Sequence, residues 1–467
     1  MQKSFAMAAL MAASCGAQAA SDADLAAIRA QIDDIKKTYE QRIAALEQKL
    51  VQAESRATSQ AKPAAPEVDS RPVAPAATGA SGFNPEVSLI LQGQYKSMKD
   101  VAERGITGFV PAGGHDHGAG AIEGINKRGF SVEHTELVLA ANIDPYWRGQ
   151  AILALADGEV EVEEAWFQSL AIGHGVGLKG GRMRSGIGYL NEQHPHMWDF
   201  ADAPLMYRAM FGDHASYAQD GLQFKWLAPT PVFLEFGAEV GRGANFPGTD
   251  RNKNGAGAGA IFAHIGGDVG VSNDWRAGVS YLKTKASARG AHFAGTVDDE
   301  VEGLFSGNSS TWLADFVWKW APNGNPKYQN FKFQTEYFSR QENGDLTCAT
   351  PEDASATVSC DGQVSAYKTR QSGWYAQGVY QFTPQWRAGL RYEQLDSGTR
   401  DFGANAANLV VDSYRPKKAS VMVDYSWSEF SRVRLQLAQD KSMLGITDNQ
   451  LTLQYVMSLG AHGAHKF

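Results

Sequence analysis

The run Trp312-Leu313-Ala314-Asp315-Phe316-Val317-Trp318-Lys319-Trp320 decides the fold. Trp312, Ala314, Phe316, Trp318 and Trp320 recur at every second position, with Leu313, Asp315, Val317 and Lys319 between them, so the period is 2 and the segment is a strand. One face is greasy and the other carries charge. The same alternation sets Phe331, Phe333, Thr335 and Tyr337 against Lys332, Gln334, Glu336 and Phe338, and sets Trp386, Ala388, Leu390 and Tyr392 against Arg387, Gly389, Arg391 and Glu393. Outward from these, the pattern predicts sixteen strands, at about 87–95, 130–143, 147–156, 160–170, 176–184, 216–227, 233–243, 256–270, 275–285, 310–320, 330–340, 373–382, 385–395, 419–427, 431–440 and 450–459. Tight turns such as Thr383-Pro384 alternate with longer connections such as 185–215 and 341–372, with 157–159 as the one brief exception.

An even number of strands of about ten residues, alternating apolar and ionic faces, and alternating short and long connections are the signature of a closed antiparallel transmembrane β-barrel. A soluble sandwich would bury its apolar face and would not place Trp275, Trp312, Trp320, Trp374, Trp386 and Trp427 near strand ends, where an interfacial girdle needs them. The expected fold is therefore all-β, a 16-stranded outer-membrane barrel over residues 83–467. Sixteen strands leave an aqueous lumen, whereas eight would be filled by side chains.

Composition agrees. The 467 residues include 49 Gly, 22 Phe, 16 Tyr and 11 Trp, and no uninterrupted apolar run long enough for a membrane-spanning helix follows the N-terminus. A net charge of -8 disfavours a general nucleic-acid binder. Residues 1–19, with Lys3, an apolar stretch and Ala17-Gln18-Ala19, read as a signal peptide, Cys15 being either discarded with it or lipidated. In 20–54 the apolar positions Leu25, Ile28, Ile32, Ile35, Tyr39, Ile43, Leu46 and Leu50 step by three or four, a coiled-coil seam that self-associates, most simply as a trimer, or a single helix lying on another surface. The Ala/Pro-rich stretch 55–82 is a linker.

The ionic face supplies the candidate pore lining. Arg148, Arg182, Arg184, Lys319, Lys332, Arg387, Arg391, Arg432 and Arg434 are joined by Asp315, Glu336, Glu393, Glu136, Glu161 and Glu163. Cations at mid-depth would cost about 2–4 kcal/mol each against lipid, so they face water. They either solvate the wall or, in the case of Arg387, Arg391, Arg432 and Arg434, form a stripe that favours anions. The connection 185–215 mixes aromatic and ionisable residues, among them Tyr189, Glu192, Asp199 and Arg208, and is the candidate constriction loop or else a cap on the rim. Cys348 and Cys360 read as a loop disulfide rather than a metal pair. His115, His117, His194 and His196 are candidate metal ligands, because His-x-His in a strand puts both rings on one face. No cofactor is expected and no nucleophile–base pair stands out, so the chain does not read as an enzyme.

Phe130 to Asp157, then Val162-Glu163-Glu164-Ala165-Trp166-Phe167, Leu178-Lys179-Gly180-Gly181-Arg182, Gly186-Ile187-Gly188-Tyr189-Leu190 and Asp220-Gly221-Leu222-Gln223 resemble the phosphate-selective porin O and P family. The resemblance implies a homotrimeric sixteen-stranded channel that selects anions such as phosphate through basic lumen residues. The expected function is an outer-membrane porin for passive diffusion of small hydrophilic solutes; the alternative is zinc uptake or binding, carried by the histidine clusters.

Overall fold

The computed structural model describes residues 85–460, apart from 102–103, 110–126, 133, 157–158, 213, 294, 297–300, 349–361 and 412. The signal peptide, coiled coil and linker, together with His115, His117 and Cys360, lie outside the described residues.

The chain forms a closed antiparallel barrel of sixteen strands. They are β1 (Glu86–Ser97), β2 in two pieces (Gly129–Val132 and Thr135–Asn142), β3 (Trp147–Ala156), β4 (Glu159–Ser169), β5 (Val176–Arg184), β6 (Ala218–Leu227), β7 (Phe233–Gly241), β8 (Ala258–Val269), β9 (Asn273–Phe293), β10 (Val301–Trp320), β11 (Asn330–Cys348), β12 (Val364–Gln381), β13 (Trp386–Asp401), β14 (Lys417–Ser428), β15 (Ser431–Lys441) and β16 (Asp448–Gly460). Both pieces of β2 pair with β1, and Ser88↔Gly460 through Ser97↔Leu451 zip β1 to β16. Every neighbouring pair is joined, so no strand edge faces lipid.

The outer wall shows how the sequence sets membrane depth. Trp275 and Tyr281, Trp312 and Trp318, Phe331 and Tyr337, Trp374 and Tyr380, and Trp386 and Tyr392 each lie six residues apart on the outward face of one strand. Six residues span about 20 Å of strand. Between the two aromatic levels sit exposed Leu390, Val279 and Phe316, at 67%, 54% and 37%. This is an apolar band flanked by aromatic girdles, as a membrane barrel needs. The opposite face is inward: Leu313, Asp315 and Val317 are buried, as are Gln334, Glu336 and Phe338.

Five strands run well past their expected ends. β9 to β13 continue about ten residues past the girdle into a raised collar at the long-loop end. There the sense of the alternation reverses. Outward positions become polar, as in Ser339, Gln341, Asn343 and Asp345, while Phe293, Phe305, Leu346, Tyr367 and Phe402 pack inward as a second core. The apolar-outward signal stops at the lipid boundary, so these stretches read as loop from sequence although the pairing continues, without a break from Gly303↔Cys348 to Trp320↔Phe331 between β10 and β11 and with one register shift each in β9–β10 and β12–β13. Cys348 ends β11, buried and disulfide-bonded.

One pore-lining assignment is corrected. Arg182 faces outward: Gly180, two residues before it, lies beneath Phe167 and Leu222 of the lipid-facing surface, and Arg182 pairs with Asp220 at 2.8 Å with both side chains nearly half exposed. The pair stands at the long-loop end of the wall, so the arginine meets water rather than hydrocarbon.

Leu390→Arg, in the middle of the belt, is expected to destabilise the folded barrel by about 2–4 kcal/mol in lipid. Lys368→Ala, outward on the collar, is expected to change stability little. Urea titration of folding in vesicles measures both.

Candidate functional site

Residues 185–217, the connection from β5 to β6, lie inside the barrel and define the site. Leu190, Phe200, Met206, Tyr207, Met210 and Phe211 are at most 5% exposed, far from the accessibility of a surface loop. A short helix, α1 (Leu205–Phe211), carries Met206, Tyr207 and Met210 into a cluster with Phe262, Leu282, Leu313, Phe338, Tyr375 and Leu395 of the wall. Tyr207 meets Phe338 edge-on at 4.9 Å. Ile106 and Phe109, from the connection after β1, close this core from above.

An irregular segment in a barrel interior must find partners for its backbone, and the ionic wall supplies them. On β7, Glu239 accepts from Ser185 Oγ at 2.6 Å and Gly186 N at 2.8 Å. On β11, Glu336 accepts from Tyr189 N, Leu190 N, Tyr207 Oη and Tyr375 Oη. On β13, Glu393 accepts from Leu205 N at the start of α1, where a carboxylate suits the exposed N–H groups. The guanidinium groups bind the carbonyls: Arg432 donates to His196 O at 2.8 Å, Arg434 to Trp198 O at 2.7 Å, Arg391 to Asp202 O at 2.8 Å and Arg184 to Gln193 O at 2.8 Å.

Side-chain pairs complete the docking. Asp199 lies 2.5 Å from Lys332 and 3.2 Å from Arg387, and Arg387 also binds Asp424 at 2.6 Å. Asp202 lies 2.6 Å from Arg391 and 2.5 Å from Lys418. Glu192 reaches Lys225 at 3.1 Å. Burial opposes charge on both aspartates, but Lys332 and Arg387 hold the Asp199 carboxyl far below its ordinary range, and Lys418 and Arg391 do the same for Asp202. Tyr189 moves the other way, its hydroxyl pushed up chiefly by burial.

These contacts correct the expected cationic stripe. Arg391 and Arg434 face inward but are 3% and 1% exposed, covered by the loop they hold. A second group of cations lines the lumen below the loop, at the short-turn end. There Lys319, Lys327, Lys332, Arg387 and Arg432 face a cavity of about 880 Å³ that also meets Asp199 and Glu429. An adjoining cavity of about 690 Å³ shares Lys319, Lys332 and Arg387 and adds Asp268 and Asp274. Lys319 and Lys332 stand directly opposite each other on β10 and β11. Arg148 pairs with Glu86 at 2.7 Å, and Asp315 is buried on the inner wall of β10. Arg208 lines a small pocket on the other side of the loop, with Asp202 and Lys418.

His194 and His196 also enter the lumen, beside Glu136 of β2 and Glu163 of β4. Burial and Arg184 work against charge on His194, yet Glu136 and Glu163 raise its pKa to about 9; burial pulls His196 down. His134, between the two pieces of β2, joins the same group. Scanning for His-x-His overlooks it. The signal available was His134-Thr135-Glu136, a histidine and a carboxylate on one strand face, but only the registers of β2 on β3 and of β3 on β4 together bring in Glu163.

No protein-family model matches the sequence. An "Uncharacterized protein" of Aquifex aeolicus (strain VF5) is 30% identical over 412 residues, covering 82% of this chain and 80% of that protein. Among solved structures, the loop L8 deletion mutant of OmpT, an outer membrane protein of Vibrio cholerae, superposes with TM-score 0.48 at 11% identity over 80% of this chain and 99% of its own. The anion-selective porin from Comamonas acidovorans gives 0.46 at 8% over 80% and 99%, and the outer membrane channel DcaP of Acinetobacter baumannii 0.43 at 12% over 82% and 99%.

Asp202→Asn leaves Arg391 and Lys418 facing a neutral group, a loss of about 3–5 kcal/mol for a broken buried pair. The loop is expected to loosen, seen as larger single-channel conductance and trypsin cleavage at Arg208. The wild-type acid response follows from the depressed aspartates. Their docking contribution is present above the ordinary aspartate pKa near 4 and is lost only as pH falls through the lower folded values. As these two aspartates protonate, below about pH 4, conductance is thus expected to rise.

Proposed function

We propose that this chain, which belongs to the same family as the Aquifex aeolicus protein, is a bacterial outer-membrane channel for passive diffusion of small hydrophilic solutes, narrowed by residues 185–217. The observation that carries the proposal is the wall itself: a closed cylinder with grease outside, ionic side chains inside, and a polar vestibule of about 880 Å³ beneath the loop. Eight strands would pack shut; sixteen leave room for both an inserted loop and water.

The finer reading is a preference for anions, phosphate among them. Lys319 and Lys332 lie directly opposite on adjacent strands, an arrangement that destabilises a sheet unless an anion sits between or before them. Asp199 meets Lys332 on the side of the loop, and Arg387 and Arg432 complete the cationic mouth. The expected pore lining is thereby narrowed to the short-turn vestibule. Resemblance to the phosphate-selective porin O and P family supports the same cargo and a homotrimer, and Cys360 is the natural partner of Cys348 across the collar loop.

In planar bilayers the purified protein is expected to give ohmic conductance steps, with a reversal potential of anion sign in a salt gradient. Lys319→Glu is expected to shift that potential toward cations. The absence of any step would overturn the channel; steps with a cationic reversal potential in the wild type would overturn only the anion preference.

A further inference from the structure

The lumen wall holds one polar cluster that solute passage does not use. His134 Nε2 lies 2.7 Å from Glu136 Oε1 and 3.2 Å from Glu163 Oε1, and His194 Nδ1 lies 3.3 Å from Glu136 Oε1 and 3.0 Å from Glu163 Oε2. Glu136 is fully buried, and the His134 and His194 side chains are 6% and 8% exposed. Despite these approaches, His134 Nε2, His194 Nδ1 and Glu136 Oε2 are buried and make no hydrogen bond of good geometry. Buried polar atoms in that condition call for an occupant.

We propose that His134, Glu136, Glu163 and His194 bind a divalent transition ion of the Zn²⁺ class, which clamps the inserted loop to β2 and β4. Four potential ligand atoms, one from each residue, lie within 4.8 Å of one another. A tetrahedron with Zn–N and Zn–O bonds of roughly 2.0–2.2 Å has edges of about 3.4 Å, close to the separations here. Two imidazoles and two carboxylates select a borderline ion over Ca²⁺ or Mg²⁺, which take oxygen ligands. His196 Nδ1 bonds Glu136 Oε1 at 3.1 Å and orients that ligand from outside the shell, a positioning role. Arg184, 3.3 Å from Glu163 Oε2, leaves the local charge at minus one, which a dication reverses to plus one, as would two protonated imidazoles. Protons are therefore the competing occupant. A cavity of about 60 Å³ on the long-loop side is lined by His134, Pro195 and Trp198.

The clamp joins two strands and a loop that are far apart in sequence, with ligands at 134, 136, 163 and 194. This differs from uptake of a metal cargo. The ion stays and the solutes pass.

The test uses the full chain purified in detergent, stripped with a chelator and reloaded with Zn²⁺ or Co²⁺. One ion per chain is expected to survive gel filtration, and Co²⁺ is expected to show the intense visible bands of a tetrahedral site. X-ray absorption of the Zn²⁺-loaded wild type is expected to show an N/O shell with two imidazoles. His134→Ala with His194→Ala should abolish retention, His196→Ala should weaken it about 10–100-fold, and His115→Ala with His117→Ala should leave it intact. Should the His134/His194 variant fail to fold, the absorption data on the wild type decide. No retained ion, a shell without imidazole, or loss of binding in the His115/His117 variant alone would each overturn the proposal, and none of these results bears on conductance.

Discussion

A backbone amide in hydrocarbon has no water to turn to, and the whole architecture follows from that constraint. Closing β1 onto β16 removes the last free edge, and a closed sheet of sixteen strands must enclose a space wider than its own side chains can fill. The period of two then sends one half of the residues to lipid and the other half to that space. Charge on the inner half is obligatory for solubility of the lumen, but it is also a store of hydrogen-bonding capacity. Residues 185–217 draw on it. The loop has few backbone partners of its own, and Glu239, Glu336, Glu393, Arg391, Arg432 and Arg434 replace them.

This reassigns the meaning of an ionic face. In an empty cylinder, a row such as Arg387, Arg391, Arg432 and Arg434 would set the sign of permeating ions. With the loop in place, most of that row is part of an internal salt-bridged interface, whose members are individually costly to desolvate and are kept by mutual pairing. The cations that line the vestibule below the loop are Lys319, Lys327, Lys332, Arg387 and Arg432, with Lys332 and Arg387 also bound to Asp199 of the loop.

The barrel was legible in the sequence because its decisive signal is local. Alternation along Trp312 to Trp320 needs no partner to be read, and the sixteen expected segments correspond to the sixteen strands. What was not legible depends on pairing across the sheet. The collar segments of β9 to β13 do not show as strands in the sequence because, above the lipid, polar residues face outward and apolar ones inward. The charge of Arg182 by itself points inward, and only Gly180, whose neighbours Phe167 and Leu222 fix the facing of β5, shows that it lies on the outer face. Tyr189 and Asp199 could be picked out as loop residues by composition, but their partners Glu336 and Lys332 lie more than a hundred positions away, and nothing local announces them.

The collar has a further consequence for how such barrels can gather in a membrane. Strands of unequal height leave two open flanks above the lipid, which in isolation would invite another sheet to extend them. Each flank is sealed by the chain itself: Thr249 N and Gly257 O bond Lys285, and Tyr414 O and Pro416 O accept from Ser397 N and Leu395 N. At Lys285, Leu395 and Ser397 the backbone groups that an added strand would need are thereby already taken.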